Sequence, residues 1–257
     1  MKFLLYSLGL LLLSQPLHAQ LPAAPTTDGW KLIFVDEFEG DALDLTKWSY
    51  RQLGKRESAM ISKDCISLDG KGHLLVSVME KDGVLQNGMI GTQGKFSATY
   101  GRFEARMKFP EMQGQHGSFW MQPDKPGKEQ NNAAVSGAEI DIIEWFGAGR
   151  RDGGTASNIY WPSGKGNHAG GTKDFKLLPP GEKWSDNFHI YGLEWSATEY
   201  VFRVDGKETY RIKEGVSQVP QYLILSLLTA DWEVKRLDKT KLPNAMLVDW
   251  VKVWQKP

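Results

Sequence analysis

The sequence predicts an all-β fold, a single-domain antiparallel β-sandwich of the jelly-roll kind. Three observations carry this expectation. Apolar and polar residues alternate with period two along many short runs. Two such runs are joined by Asp205-Gly206, a pair suited to the positive φ angles of a tight hairpin. The chain also holds 27 Gly and 12 Pro, and no persuasive amphipathic helical stretch interrupts the alternation.

Taken in order, Leu74 to Met79 reads as the first clear strand. In Tyr100 to Phe109, Phe103, Ala105, Met107 and Phe109 share one face, and Arg102, Glu104, Arg106 and Lys108 share the other. Ala138 to Phe146 follows, between polar, glycine-rich stretches at 123–137 and 147–171 that read as long loops. Phe188 to Trp195, the hairpin arms Tyr200 to Val204 and Lys207 to Ile212, Tyr222 to Leu228 and Met246 to Trp254 complete the set. Neither a repeat nor a compositional break marks a second domain, so residues 29–257 read as one β domain.

Composition narrows the function. Lys plus Arg and Asp plus Glu are both 31, and a chain of zero net charge lacks the basic excess of a nucleic-acid binder. The lone Cys65 excludes an internal disulfide and a cysteine-based metal centre. Ten Trp exceed what a core of this size requires, and the surplus suits stacking on flat ligands such as sugar rings. Lys2 followed by the apolar run Phe3 to Leu13 reads as a signal peptide over residues 1–19, with 20–28 as a linker. That run is too short to span a bilayer, so the expectation is a secreted or periplasmic protein, monomeric and free of the membrane.

The chemistry concentrates in Ala138 to Phe146. In a regular strand Glu139 and Asp141 face one way, and Glu144 faces the other with the isoleucines. An unpaired carboxylate in the core is costly, whereas one extra residue near Ile142-Ile143 would return Glu144 to the face of Glu139 and Asp141. Three acids on one face repel one another and serve no structural need. Cleaving a glycosidic bond with retention does need them: one ionised carboxylate attacks, a protonated one donates, and the two lie about 5–5.5 Å apart. A third acid between them helps hold the outer pair in opposite protonation states. A calcium site is the alternative for such a cluster, but isoleucines stand where a calcium loop has turn residues.

At these residues the chain resembles glycoside hydrolase family 16, the jelly-roll family of laminarinases, lichenases, agarases and carrageenases. The likeness runs through Trp30 to Phe38, Asp44 to Trp48, Tyr100 to Arg106, Glu139 to Glu144, His189 to Trp195, Val204 to Gly206 and Val248 to Trp250, in the family's order. It implies Glu139 as nucleophile, Glu144 as acid/base and Asp141 as the carboxylate that tunes them, on a concave sheet whose loops wall a cleft. Trp120 falls where the family has an aromatic platform, while Trp145 alternates toward the core. Trp232, Tyr160 and Arg102 are further candidates for contact with the polysaccharide.

Many glucanases of the family carry a His in an Ile-His step two strands on from the catalytic one. Here Asn158-Ile-Tyr160-Trp161 fills that place. Arg150, Arg151, Lys165, His168 and Lys173 form either a solvated loop or a receiver of anionic sugars. No cofactor is needed for such catalysis. A structural calcium ion bound by Glu37 and Asp249 stays open by resemblance. The resulting expectation is a retaining endo-β-glycosidase of β-1,3-glucan, with a β-galactanase of agar, porphyran or carrageenan as the alternative. Transglycosylation, or carbohydrate binding without catalysis, would be read from the same fold.

Overall fold

The computed structural model describes residues 29–125, 132–163 and 166–256. The proposed signal peptide and linker at 1–28 lie outside the described residues. Strands are numbered in chain order. One sheet, the site sheet, runs in space as β2 (Ser49–Tyr50), β7 (Val84–Gly91), β16 (Gln221–Leu228), β9 (His116–Pro123), β10 (Glu139–Trp145), β11 (Thr155–Ser163) and β12 (Gly166–Lys173). In the other, the back sheet, β17 (Asn244–Gln255) pairs on one edge with β1 (Lys31–Asp36) and β6 (Leu74–Lys81). On its other edge lie β8 (Gly101–Lys108), β13 (His189–Trp195), β14 (Tyr200–Val204) and β15 (Lys207–Ile212).

Short strands close the edges. β3 (Gly54–Arg56) and β4 (Ala59–Ile61) form a hairpin, and β5 (Ile66–Leu68) adds to β6. β7 pairs with both β6 and β16, so it ties the sheets into one sandwich. Pairing is antiparallel throughout the named strands except for the β4–β7 contact.

Alternation places the core between the sheets. Phe103, Ala105 and Met107 of β8 pack with Leu193 and Trp195 of β13, against Phe119 and Met121 of β9 and Leu223, Leu225 and Leu227 of β16. Burying such side chains removes apolar surface from water at about 25 cal/mol per Å². On β16 the other face is buried too. Tyr222, Ile224 and Leu228 join Met89, Ile61 and Trp120 in a second apolar cluster. That cluster forms a floor on the outer side of the site sheet, since these residues alternate with the core set.

The turn Asp205-Gly206 has φ of 50° and 77°, both positive as a type I′ hairpin requires. Cys65 is buried, and desolvation pushes its thiol up to about 11, which keeps it protonated and inert. One expectation fails. Residues 147–171, read as a loop, contain β11 and most of β12, which pair residue for residue from Ala156↔Lys173 to Ser163↔Gly166. These two strands lie at the edge of the site sheet, where small and polar residues replace the apolar alternation that marks a half-buried strand. Of 123–137, Pro123 ends β9, and the described remainder contains a four-residue helix, Ala133–Ser136, capped by the Asn132 side chain.

Candidate active site

β10 is interrupted by a bulge. On one side the three steps from Asp141 to Glu144 span only two on β11, Asn158 to Ala156. On the other, Asp141 to Ile143 spans a single step on β9, Trp120 to Phe119. The extra residue is therefore Ile142, which packs into the core together with Ile143. The inserted residue restores Glu144 to the face of Glu139 and Asp141, as the sequence predicts. On that face the register sets Glu139 beside Tyr160, Asp141 between Trp120 and Asn158, and Glu144 beside Ser118.

Both neighbouring strands grip the Glu144 carboxyl. Its Oε1 lies 2.7 Å from His116 Nε2, and Ser118 Oγ lies 3.0 Å from the same nitrogen. Its Oε2 accepts from Asn158 Nδ2. Gly171 of β12 sits across from Asn158, and a Cβ there would collide with the amide oxygen, so glycine makes room for this side chain. Asn158 stands where many glucanases of the resembled family have an imidazole; here the imidazole at Glu144 arrives from the opposite neighbour, β9. His116 was missed in sequence because it looks like an ordinary loop-edge residue. The signal lay in its period-two phase with Ser118, Trp120 and Gln122.

Glu139 is held differently. Gln122 Nε2 donates to its Oε2 at 2.5 Å, and Gln122 Oε1 in turn accepts from Arg51 Nη2 at 2.8 Å. Arg51 also donates from Nη2 and Nε to the Tyr222 hydroxyl, at 3.0 and 3.2 Å, and its guanidinium lies 5.2 Å from the Trp120 ring centroid. Among the described residues it pairs with no carboxylate. Asp141, between the two glutamates, is fully enclosed. Burial, then the neighbouring charges of Glu144 and Glu139, pushes its carboxyl well above the ordinary range, which favours its protonated form. Burial and the same carboxylates push the Tyr160 phenol up to about 12, which keeps it a hydrogen-bond donor.

The two ends of β10 open onto different surroundings. Beside Glu139 lies a hollow of about 910 Å³, lined by Arg51, Gln122, Tyr160, Trp161 and Tyr222 among others. Beside Glu144 stands an aromatic wall. His116 stacks on Phe146 at 4.8 Å between centroids, and Trp232 closes on both at 5.7 and 5.5 Å. Trp232 is 57% exposed. Behind the wall Glu233 is wholly buried, ion-paired with Arg150 and with Arg236 at 2.5 Å. Arg150 also forks onto Asp152 at 2.8 and 2.9 Å, which holds that carboxyl down to about 2, and lies 5.2 Å over Phe146.

Several sequence expectations are corrected. Arg102 does not reach this face. It lies on the outer side of the back sheet, 5.0 Å over the Trp30 ring, because β8 belongs to that sheet. Trp120 is a floor and not an open platform: only 8% of it is exposed, Arg51 covers its ring, and its Nε1 donates to Ser226 Oγ at 3.1 Å. Arg150 is internal to the wall and is not presented to solvent as part of a basic loop. Lys165 and the side chain of His168 lie outside the described residues. Trp145 is structural as expected, buried with Nε1 donating to Pro110 O at 2.7 Å.

Glu37 and Asp249 lie on the back sheet side, away from the carboxylates of β10. Each already sits on a cation, Lys252 at 2.8 Å and Arg106 at 2.6 Å. Among the described residues no group of three potential metal ligands occurs. Nor is any described helix long and apolar enough to cross a membrane.

The family described as beta-porphyranase A–D, GH16 domain, matches residues 30–256. A glucan endo-1,3-beta-glucosidase A1 from Niallia circulans is 27% identical over 91% of this chain and 39% of its own length. A keratan-sulfate endo-1,4-beta-galactosidase from Sphingobacterium multivorum is 29% identical over 90% of this chain and 56% of its own. The chain thus spans about half or less of these two relatives. The solved laminarinase catalytic domain of Thermotoga maritima superposes with a TM-score of 0.72 at 22% identity, covering 90% of this chain and all of that one.

Proposed function

The chain belongs to glycoside hydrolase family 16, in the β-porphyranase A–D group, and on that premise we propose that it is a retaining endo-β-glycosidase with Glu139 as nucleophile and Glu144 as acid/base. The observation that carries the reading is the bulge at Ile142, which puts three carboxylates on one face, with Asp141 buried between the other two and its carboxyl raised toward the neutral form. In the first step Glu139 attacks the anomeric carbon and Glu144 protonates the departing oxygen. In the second, Glu144 takes a proton from water, which displaces Glu139 from the sugar. A neutral Asp141 removes one of three like charges, so Glu139 can remain an anion beside it.

The substrate class we propose is a β-linked galactan, neutral or sulfated. The group membership supports it, and so does Arg51, a cation in the hollow beside the nucleophile with no carboxylate partner among the described residues. A guanidinium there offers charge-assisted hydrogen bonds to sulfate or to a sugar hydroxyl. The likeness to a glucan endo-1,3-β-glucosidase supports the second reading, β-1,3-glucan. Tyr160 lines the same hollow as a donor, and Trp232 would stack a sugar on the Glu144 side. The enzyme acts, on this reading, as a cofactor-free monomer exported from the cytoplasm.

Product sizing on agarose, porphyran, carrageenan, keratan sulfate, laminarin and lichenan tests the substrate. NMR at early times should show the β-anomer first, and initial α-anomer would rule out double displacement. On a sulfated galactan KM should rise between 0.1 and 1 M salt, as the Debye length falls from about 10 to about 3 Å, and Arg51→Met should raise it similarly at low salt. Turnover of laminarin alone would assign the enzyme to β-1,3-glucan.

A further inference from the structure

We infer that His116 is a positioning residue for Glu144, chosen because one imidazole nitrogen can keep the same contact while the carboxyl changes from acid to base. The inference rests on Glu144 being the acid/base. A carboxyl in that role must hold one orientation in two protonation states. Its Oε2 is anchored by Asn158 Nδ2, which only donates, so that oxygen accepts in both states and the proton resides on Oε1. The partner of Oε1 must then accept when Glu144 is protonated and donate when it is not. Within one fixed rotamer an amide nitrogen or a lysine cannot do both. Imidazole Nε2 can, by changing tautomer.

The surroundings suit that change. Ser118 Oγ, 3.0 Å from Nε2, is a hydroxyl that can donate to the nitrogen or accept from it. Stacking on Phe146 and contact with Trp232 fix the ring plane without using either nitrogen. The His116 side chain is 19% exposed, enough for proton exchange with water. Over a full cycle the imidazole gains and loses no net proton. The Glu144 proton swings from Nε2 to the departing sugar oxygen. The ring then takes a proton from water at Nε2 and returns its Nδ1 proton to water, so that Nε2–H faces the carboxylate. In the second step Glu144 takes a proton from the attacking water, and the reverse exchange restores the first tautomer.

The test compares leaving groups. The probes are the methylumbelliferyl and 2,4-dinitrophenyl β-glycosides of the disaccharide that the wild-type enzyme releases, with the native polysaccharide beside them. Dinitrophenolate departs without protonation, whereas a sugar alkoxide does not. His116→Phe keeps the stacked wall, and His116→Gln keeps a polar nitrogen. In both, kcat/KM on polysaccharide should fall about 30- to 100-fold, while kcat/KM on the dinitrophenyl glycoside stays within about threefold. His116→Gln should recover only part of the loss. Equal losses on all probes, no loss on polysaccharide, or full recovery by Gln would overturn the inference. Glu144→Gln separates its failure from that of the catalytic reading. If Glu144→Gln shows the split and the His116 variants do not, only His116 is misassigned. If Glu144→Gln lacks the split, the acid/base assignment itself falls.

Discussion

The two ends of β10 solve the same problem, holding a carboxylate at an exact attitude, by opposite means. At the Glu139 end the support is polar and open: Gln122, then Arg51, then Tyr222, around a hollow of about 910 Å³. At the Glu144 end it is packed: an aromatic wall braced from behind by a buried ion-pair cluster on Glu233. Polar chains provide directional donors and can discriminate hydroxyl patterns, because an unmatched buried donor costs about 1–3 kcal/mol. Aromatic faces accept many sugar rings with little discrimination. On the proposed mechanism, the enzyme reads its substrate on the Glu139 side and tolerates variation on the Glu144 side.

The sharpest way to break this contrast is at the nucleophile. Glu139→Gln should lower kcat on the order of a thousandfold or more while the near-ultraviolet circular dichroism stays native. Retained turnover would mean that the open end holds no nucleophile. The brace comes next. Arg150→Ala leaves the wholly buried Glu233 with Arg236 alone, at a cost of about 3 kcal/mol, or roughly 10 °C in Tm. Arg151→Ala, an exposed neighbour, should change Tm little and serves as the control. Equal behaviour of the two variants would return Arg150 to the solvated loop of the sequence reading.

Asp141 lies between the ends and reports on both. Its carboxyl is raised in the folded state, so folding is least penalised when it is protonated. That stability is fully present below the ordinary value of 3.8 and is lost as pH rises toward the folded value. Asp141→Asn removes the penalty. Its Tm advantage over wild type should be near zero at pH 3.5 and several degrees at pH 8, with turnover reduced at both. A flat difference across pH would mean that Asp141 is not held neutral. The smallest effect belongs to Trp232→Ala: about 1 kcal/mol of stacking, or a fivefold rise in KM for long oligosaccharides with kcat little changed. A fall in kcat instead would show the wall acting on Glu144 and not on the sugar.

Much of this was legible in the chain. The bulge follows from spacing, since Glu139, Asp141 and Glu144 cannot share a face in a regular strand and an unpaired Glu144 cannot be left in the core. The back sheet follows from strict alternation, as in Phe103, Ala105 and Met107. What was not legible is cross-strand. Alternation tells which face Arg102 takes but not which sheet β8 joins, and in the back sheet that face lies away from the site. Trp120 and Trp232 are indistinguishable as letters; only packing shows one beneath Arg51 and the other exposed. Glu233 sits 83 positions from Arg150, and no local pattern announces their pairing. β11 and β12 were read as loop because the hydrogen bonds that define them leave no trace in hydropathy.

The inserted Ile142 acts on β10 as a frameshift acts on a message. Every side chain after it is read in the opposite phase from those before it, so the strand carries two frames joined at one residue. Straightening the bulge while keeping Ile142 would rotate Glu144 into the apolar interior and turn Trp145, with its bond to Pro110, toward solvent. Deleting Ile142 outright would instead leave a regular strand, in which Glu144 keeps the face of Glu139 and Trp145 keeps the core. The phase has only two values, so the bulge and the extra residue are kept or lost together, and the five-residue spacing of the two glutamates requires both.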